Sequence, residues 1–365
     1  MLRVLIRTLV ALVVAVAAVV IGWRVLEPAE VASAATAPYP VAVTRSPQVT
    51  GRTNQAPLIV GDAVRVYGSP RQVRADSPVD AKSVMTAIWS LRRWPSGLSG
   101  VVAVDGTVVS RWADGSLIAL SARTGKIIWR AGTGIEAPAF DGHRTGAATV
   151  WAPAHFFTGA GAVLVSGSGR VNAYDAASGA RRWSAPISCD DAFTTAGGQF
   201  VCTEQAFSLA SGQAVSGWPA GPYTPLGCGV ASSSCGGLRD SAGRGWLVTG
   251  ARPQRSVVLD RQGSTVADGR AIPPQPDGAQ VLGAARGRLV LLTADRHLKV
   301  VDAVTGATKA YFPLAVGTEK LTWKPGLWQV TEGWVAIERL DGDGPVDPEK
   351  PGHYFTVDTV IIAAV

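Results

Sequence analysis

One turn, repeated along the chain, constrains the fold more than any other feature of the sequence. The stretch "ADGSLIALSARTGKIIWR" at 113–130 returns as "VNAYDAASGARRW" at 171–183, and then in weaker forms. The common element is Asp or Ser, three further residues, then Gly. It occurs at Ser121 with Gly125, Asp175 with Gly179, Ser208 with Gly212 and Asp302 with Gly306, and one residue shorter at Asp260 with Gly263. Trp follows the Gly after four residues at Trp129 and Trp183, and after six at Trp218; Phe312 and Val266 stand near the equivalent place elsewhere. A short polar side chain that caps its own turn, followed by a Gly free to adopt positive φ, specifies a tight connection.

Short apolar runs surround each copy. Around the first, 101–104 is apolar, Asp105-Gly106 follows, 107–112 alternates, Asp114-Gly115 follows, and 116–120 and 126–129 flank the repeated turn. Asp-Gly between such runs signals a two-residue hairpin. Residues 101–130 therefore read as a four-stranded antiparallel meander. The repeated glycines recur at a mean spacing of about 45 residues. A four-stranded unit with that period is the signature of a propeller blade, because one meander cannot bury both faces while a ring of them can.

Six units are legible: 101–130, 162–183, 191–218, 245–266, 281–312, and a last one formed by 327–340 and 354–365 on either side of a polar loop. Residues 58–89 supply either the strands that close the ring or a degenerate seventh blade. The expected fold is all-β, a propeller of six to seven four-stranded antiparallel blades over 58–365. A hydrophobic fraction of 47% allows a sizeable core, and 42 Gly with 23 Pro favour short strands.

The N-terminus is a separate element. Arg3 and Arg7 precede an uncharged stretch, 8–23, and Trp23 ends it. The arginines can snorkel, which extends the apolar length, and basic flanks stay on the cytoplasmic side. Residues 1–24 read as a signal anchor or signal peptide, and everything beyond as exported. Ala32-Ser33-Ala34 fits a cleavage site but lies about ten residues past the apolar run, so an uncleaved single-pass anchor is the expectation; cleavage would make the protein secreted. No Cys nearby could take a lipid. Residues 25–57 read as a flexible linker, rich in Pro, Ala, Thr and Gln from 35 onwards. The few cytoplasmic residues are too short for a signalling output domain.

Cys189, Cys202, Cys228 and Cys235 are the only cysteines. Four in an exported domain read as two disulfides, with three pairings open. The sequence-local one, Cys189 with Cys202 and Cys228 with Cys235, is expected because short separations close first. No C-x-x-C supports zinc.

The runs 119–129 and 173–183 resemble the Ala-x-Asp-x-x-Thr-Gly-x-x-x-Trp repeat of PQQ-like β-propellers, the quinoprotein alcohol-dehydrogenase-like superfamily, with Ser121 in place of Asp in the first. The resemblance covers about 99–312. It implies the propeller fold, and it implies that Trp129 and Trp183 dock against the adjacent blade. It leaves function open, since that superfamily includes enzymes and non-catalytic scaffolds such as an outer-membrane assembly lipoprotein.

The catalytic members hold a quinone over calcium with Glu, Asn and Asp, beside an adjacent Cys pair. Here no Cys-Cys pair exists, and the only asparagines are Asn54 and Asn172. His143, His155, His297 and His353 are scattered without ligand spacing. Asp341, Asp343, Asp347 and Glu349 could offer oxygens to Ca²⁺, but Pro345 breaks the EF-hand pattern. Trp94, Trp151, Trp323, Trp328 and Trp334 fall outside the repeat position and are either buried core or exposed aromatics for a sugar or partner. No cofactor, metal or catalytic residue is expected. The net charge of +7 suits anionic partners. Arg92-Arg93 and Arg181-Arg182 are isolated pairs, so nucleic acid is not among them. The expected function is a non-catalytic scaffold or protein-interaction module of a bacterial envelope, with envelope proteins or anionic cell-wall glycans as partners. The competing reading is a degenerate quinoprotein-type binding protein or dehydrogenase.

Overall fold

The computed structural model describes residues 2–26, 29–36, 38–80, 87–189, 191–230 and 234–365. Beyond one N-terminal helix and a five-residue helix at Ala147–Trp151, the described regular structure is β-strand. The strands form a seven-bladed propeller in which each blade is a small antiparallel sheet. The second blade, Leu98–Val104, Thr107–Trp112, Ser116–Ser121 and Ile127–Gly132, is the expected meander. The third, from Phe156–Gly159 to Arg181–Ala185, and the sixth, from Gln280–Ala285 to Thr308–Pro313, match units read from the repeat, whereas the fourth, from Phe193–Thr194 to Ala206–Ser208, lies within its unit 191–218 but has three strands instead of the expected four.

Leu58–Val60, Val64–Ser69, Gln72–Asp76 and Trp89–Trp94 make a complete first blade, which settles the count at seven. The ring is closed by a different segment. Gln48–Thr53 pairs with Val360–Ala364, from Gln48 opposite Ala364 to Thr53 opposite Val360, and completes the seventh blade beside Trp334–Leu340 and Lys324–Val330. The first and last parts of the propeller thus share one sheet, and the ring cannot open without breaking that ladder.

The segment 25–57, expected to be a flexible linker, differs accordingly. Besides the closing strand it contributes Ala29–Ser33, a fifth strand on the outer edge of the first blade, paired with Trp89–Trp94. Between these strands Ala35 N donates to Thr124 O and Val43 N to Asp62 O, so the chain straps across blades two and one. Both strands are outermost. Gln48–Thr53 is only partly buried and Ala29–Ser33 is exposed throughout. Neither needs an apolar alternation, so neither leaves one in the sequence.

The fifth blade also departs from expectation. Its strands run from Thr224–Leu226 to Gln254–Arg255, and the rest of the expected unit 245–266 lies over the blade instead, leading into a separate hairpin, Thr265–Ala267 with Arg270–Ile272. The glycines of the blade make the room. A Cβ on Gly237 would lie 2.6 Å from Val266 Cγ2, and one on Gly245 2.2 Å from Leu259 Cβ.

The apolar core lies between blades. Val109, Leu117, Ala119 and Trp129 of the second blade pack with Phe156, Val163, Val165 and Tyr174 of the third. Trp334, Ala336, Val360 and Ile362 of the seventh join the cluster shared by blades one and two. The N-terminal helix, Leu2–Leu26, contains Ile6–Trp23, long and apolar enough to cross a membrane and wholly unburied; a signal sequence has the same properties.

The closing ladder yields a stability test. Ile362 is fully buried at the seam. Ile362→Ala should destabilise by about 2–5 kcal/mol, whereas Val304→Ala, at a site 78% exposed, should stay within about 0.5 kcal/mol of the parent. Thermal unfolding in detergent measures both.

Candidate functional site

The repeated turn and the repeated Trp meet across blade boundaries. Ser121, Asp175, Ser208 and Asp302 each accept the backbone N–H of the Gly four residues on, at 2.8–2.9 Å. Gly125, Gly179, Gly212 and Gly306 have φ of +66°, +74°, +71° and +71°. Asp175 Oδ1 also accepts the N–H groups of Ala177 and Ser178, and Asp302 Oδ1 those of Val304 and Thr305. The Arg182 guanidinium, then the Ser178 hydroxyl and N–H, hold the Asp175 carboxyl well below the usual carboxylate range. The N–H groups of Thr305 and Val304 lower that of Asp302.

Onto each of the first three glycines the preceding blade lays an indole. A Cβ on Gly125 would lie 2.4 Å from Trp89, one on Gly179 2.6 Å from Trp129, and one on Gly212 2.7 Å from Trp183. The same indoles donate Nε1–H to the turn that they cover, Trp89 to Ala122 O at 2.7 Å, Trp129 to Ala176 O at 2.9 Å and Trp183 to Leu209 O at 2.8 Å. Each Trp therefore serves the Gly of the next unit and not its neighbour in sequence. Trp89 was missed as a member of this set because the first blade has no matching Gly turn. Its distance of 40 residues from Trp129, one blade period, is the signal that could have found it.

The joint stops after the fourth blade. Trp218 packs with Phe193, Val201 and Leu238 at the boundary of blades four and five, but its buried Nε1 has no hydrogen-bond partner among the described residues. Gly306 has nothing within 4 Å of its Cβ position. Asp260 leaves the turn role altogether, since its carboxylate takes Gly245 N and the guanidinium of Arg255. Other contacts hold this half of the ring. Trp328 Nε1 donates to Leu282 O between blades seven and six, and the Gln329 amide exchanges two hydrogen bonds with the backbone of Ile59 between blades seven and one. Elsewhere Arg111, fully buried, donates to His155 O and Glu136 O; burial pulls its pKa down to about 10.

The cysteines pair locally, Cys189 with Cys202 and Cys228 with Cys235. The second bridge closes a loop between the two inner strands of blade five. From it Val230 reaches the core cluster of blades one, two and seven.

Innermost strands of blades one, two, three and seven enclose a cavity of about 420 Å³, lined by Ile59, Val102, Trp151, Phe156, Val230 and Gln329 among others. Asp105 is its only ionisable lining residue. Further cavities of about 490 Å³ and 430 Å³ border blades five to seven and three to five. The residues present do not fit a quinone and its calcium. The Gln329 amide is committed to Ile59, and Asn172 donates to Thr133 O in the third blade, away from the cavity. Among the described residues no group of three His, Cys, Asp or Glu is placed to hold a metal ion. His143 pairs with Asp141 and with Glu349 of the acidic loop, His155 with Ser166, His297 with Asp295, and His353 with Pro345 O. Trp151, Trp323 and Trp334 are fully buried, and Trp94 and Trp328 half-buried.

Ring and joint together define the class, a seven-bladed β-propeller whose repeat resembles that of the PQQ-like propellers. Residues 86–215 match a family model described as outer membrane protein assembly factor BamB. That span runs over the three Trp–Gly joints, from Trp89 to Gly212. Among solved structures, the crystal structure of BamB from Moraxella catarrhalis is similar at 13% identity over 89% of this chain and 99% of that one, with a TM-score of 0.36. No curated protein matches the chain.

Two expected outcomes follow. Trp129→Ala and Trp183→Ala should each cost about 3–5 kcal/mol, as for large core truncations, with Arg296→Ala as the comparison; equal melting of all three with the parent would show that the indoles do not join blades. Reduction of both disulfides, which close separations of 13 and 7 residues, should lower the melting temperature by removing about 2–3 kcal/mol per bridge in the chain-entropy description. Mass mapping that found four free thiols in the protein purified without reductant would contradict this.

Proposed function

We propose that this chain is a non-catalytic interaction module, held at the membrane by its N-terminal helix, whose propeller lies outside the cytoplasm and binds envelope proteins. The observation that carries the reading is the match of the Trp–Gly half of the ring to an assembly-factor family. The axial cavity supports it. Its walls are mostly apolar side chains and backbone, with Asp105, Thr158 and Gln329 as the polar exceptions, which suits burial of a partner's apolar side chain, and among the described residues no nucleophile–base pair lines it. Two disulfides fit an oxidising compartment. The charge of +7 keeps anionic glycans as a second class of partner.

The test is photo-crosslinking in native envelopes from position 105, at the cavity, beside position 304, on an outer turn of the sixth blade. Discrete protein adducts from 105 and none from 304 are expected. Dye-linked alcohol oxidation on addition of PQQ and Ca²⁺ would overturn the reading in favour of an oxidoreductase. Adducts to glycan instead of protein would replace the partner class.

A further inference from the structure

We propose that the outer rim of the first blade is a seat for an anionic phospholipid surface, so that the propeller stands on the membrane by this edge and does not swing from a tether. The proposal rests on the reading of the N-terminal helix as an anchor.

The first argument is the length of chain. The helix ends at Leu26, and Ala29 is already opposite Trp94 in the ladder of the first blade. Three Cα steps reach at most about 11 Å. A helix that crosses the bilayer with Trp23 at the outer interface therefore brings Ala29 and Trp94 to headgroup depth. The strand Ala29–Ser33 is fixed in place. It has five paired positions, and the Glu30 carboxylate bridges Arg93 of the first blade at 3.3 Å and Arg130 of the second at 2.5 Å.

The second argument is the chemistry of that rim. Among the described residues Arg71, Arg92, Arg93 and Arg130 stand there against the two carboxylates of Glu30 and Asp114, so described cations outnumber described anions four to two. Arg71 stacks on the half-buried Trp94 at 3.6 Å from its ring centroid. Val31 and Ile128 are 62% and 48% exposed on the outermost strands of the first and second blades. Aromatic rings beside guanidinium groups, with scattered apolar side chains, are the composition that settles at a lipid headgroup layer. The outer edge of Ala29–Ser33 is an unpaired strand edge, which a wet headgroup layer can hydrate and shield from other chains.

The experiment uses the full chain in nanodiscs. Its mass is measured first. A mature N-terminus at Ala35, from cleavage after Ala32-Ser33-Ala34, would remove the helix and the rim strand and would overturn the anchor reading itself. With the full-length mass found, a photoreactive residue is placed at position 31 or 128, and at 257, on the segment over the fifth blade, or 304, on an outer turn of the sixth. Lipid adducts from 31 and 128 in phosphatidylglycerol discs, at least about tenfold above those from 257 and 304, are expected. They should fall several-fold in phosphatidylcholine discs and in Arg92→Glu, which is exposed and should melt with the parent. Equal lipid adducts from all four positions, or adducts at 31 and 128 indifferent to lipid charge, would overturn the seat. Protein adducts in place of lipid at 31 and 128 from intact envelopes would also overturn it, as the mark of a protein partner on this edge.

Discussion

An indole seated on a glycine of positive φ is the contact on which the ordered half of this molecule depends. A Cβ at Gly125, Gly179 or Gly212 would collide with the ring above it, and an L-residue there would be strained besides. The flat face of the Trp buries the turn, and its single N–H satisfies a carbonyl that the turn leaves free. One contact thus does three things for the blade behind it. It fills the interblade space, orders the turn and pairs a backbone acceptor. Because every such joint links one unit to the next, the stability of blades one to four propagates around the ring as it does along a repeat array.

A ring needs more than joints between neighbours, since its last unit must meet its first. Here the closing strand Gln48–Thr53 comes from the N-terminal side and finishes a sheet begun near the C-terminus, with Ile362, Ala364 and Trp334 buried at the seam. The Gln329–Ile59 amide pairing repeats that link at the axis. Sequence separation between these partners is close to the length of the whole domain. Closure is therefore expected to come late in folding, after local meanders have formed.

The letters disclosed what depends on local chemistry and concealed what depends on distant partners. The Asp-Gly hairpins, the Ser121 and Asp175 turns and the local disulfides can all be read within a dozen or so residues, and they appear where they were read. Ala29–Ser33 and Gln48–Thr53 are strands only because an edge far along the chain receives them, so their composition looks like a linker. The fifth blade hides for another reason. Gly237 and Gly245 replace the apolar alternation that marks a strand, because Val266 and Leu259 supply the packing from outside the sheet. Asp260 and Gly263 resembled the repeated turn by letter alone, since no third-to-fourth strand connection exists at that place. Of the candidate site, the mostly apolar lining of the axis was invisible beforehand, for it is assembled from one inner strand of each of several blades.

Division of the ring into two halves bears on how it could work. The span that matches an assembly-factor family is the half with Trp–Gly joints, the part whose sequence is set by packing. In the remaining blades those joints are replaced by one-off devices: the covering segment and hairpin over blade five, the Cys228–Cys235 loop that carries Val230 toward the opposite core, and the Trp328–Leu282 bond. Among the residues these devices involve, Cys228, Val266, Leu282 and Trp328 together border the 490 Å³ cavity. A fold that confines its repeated joint to one half follows one packing rule there and builds the other half from contacts found once, and both halves contribute inner strands to the axial cavity.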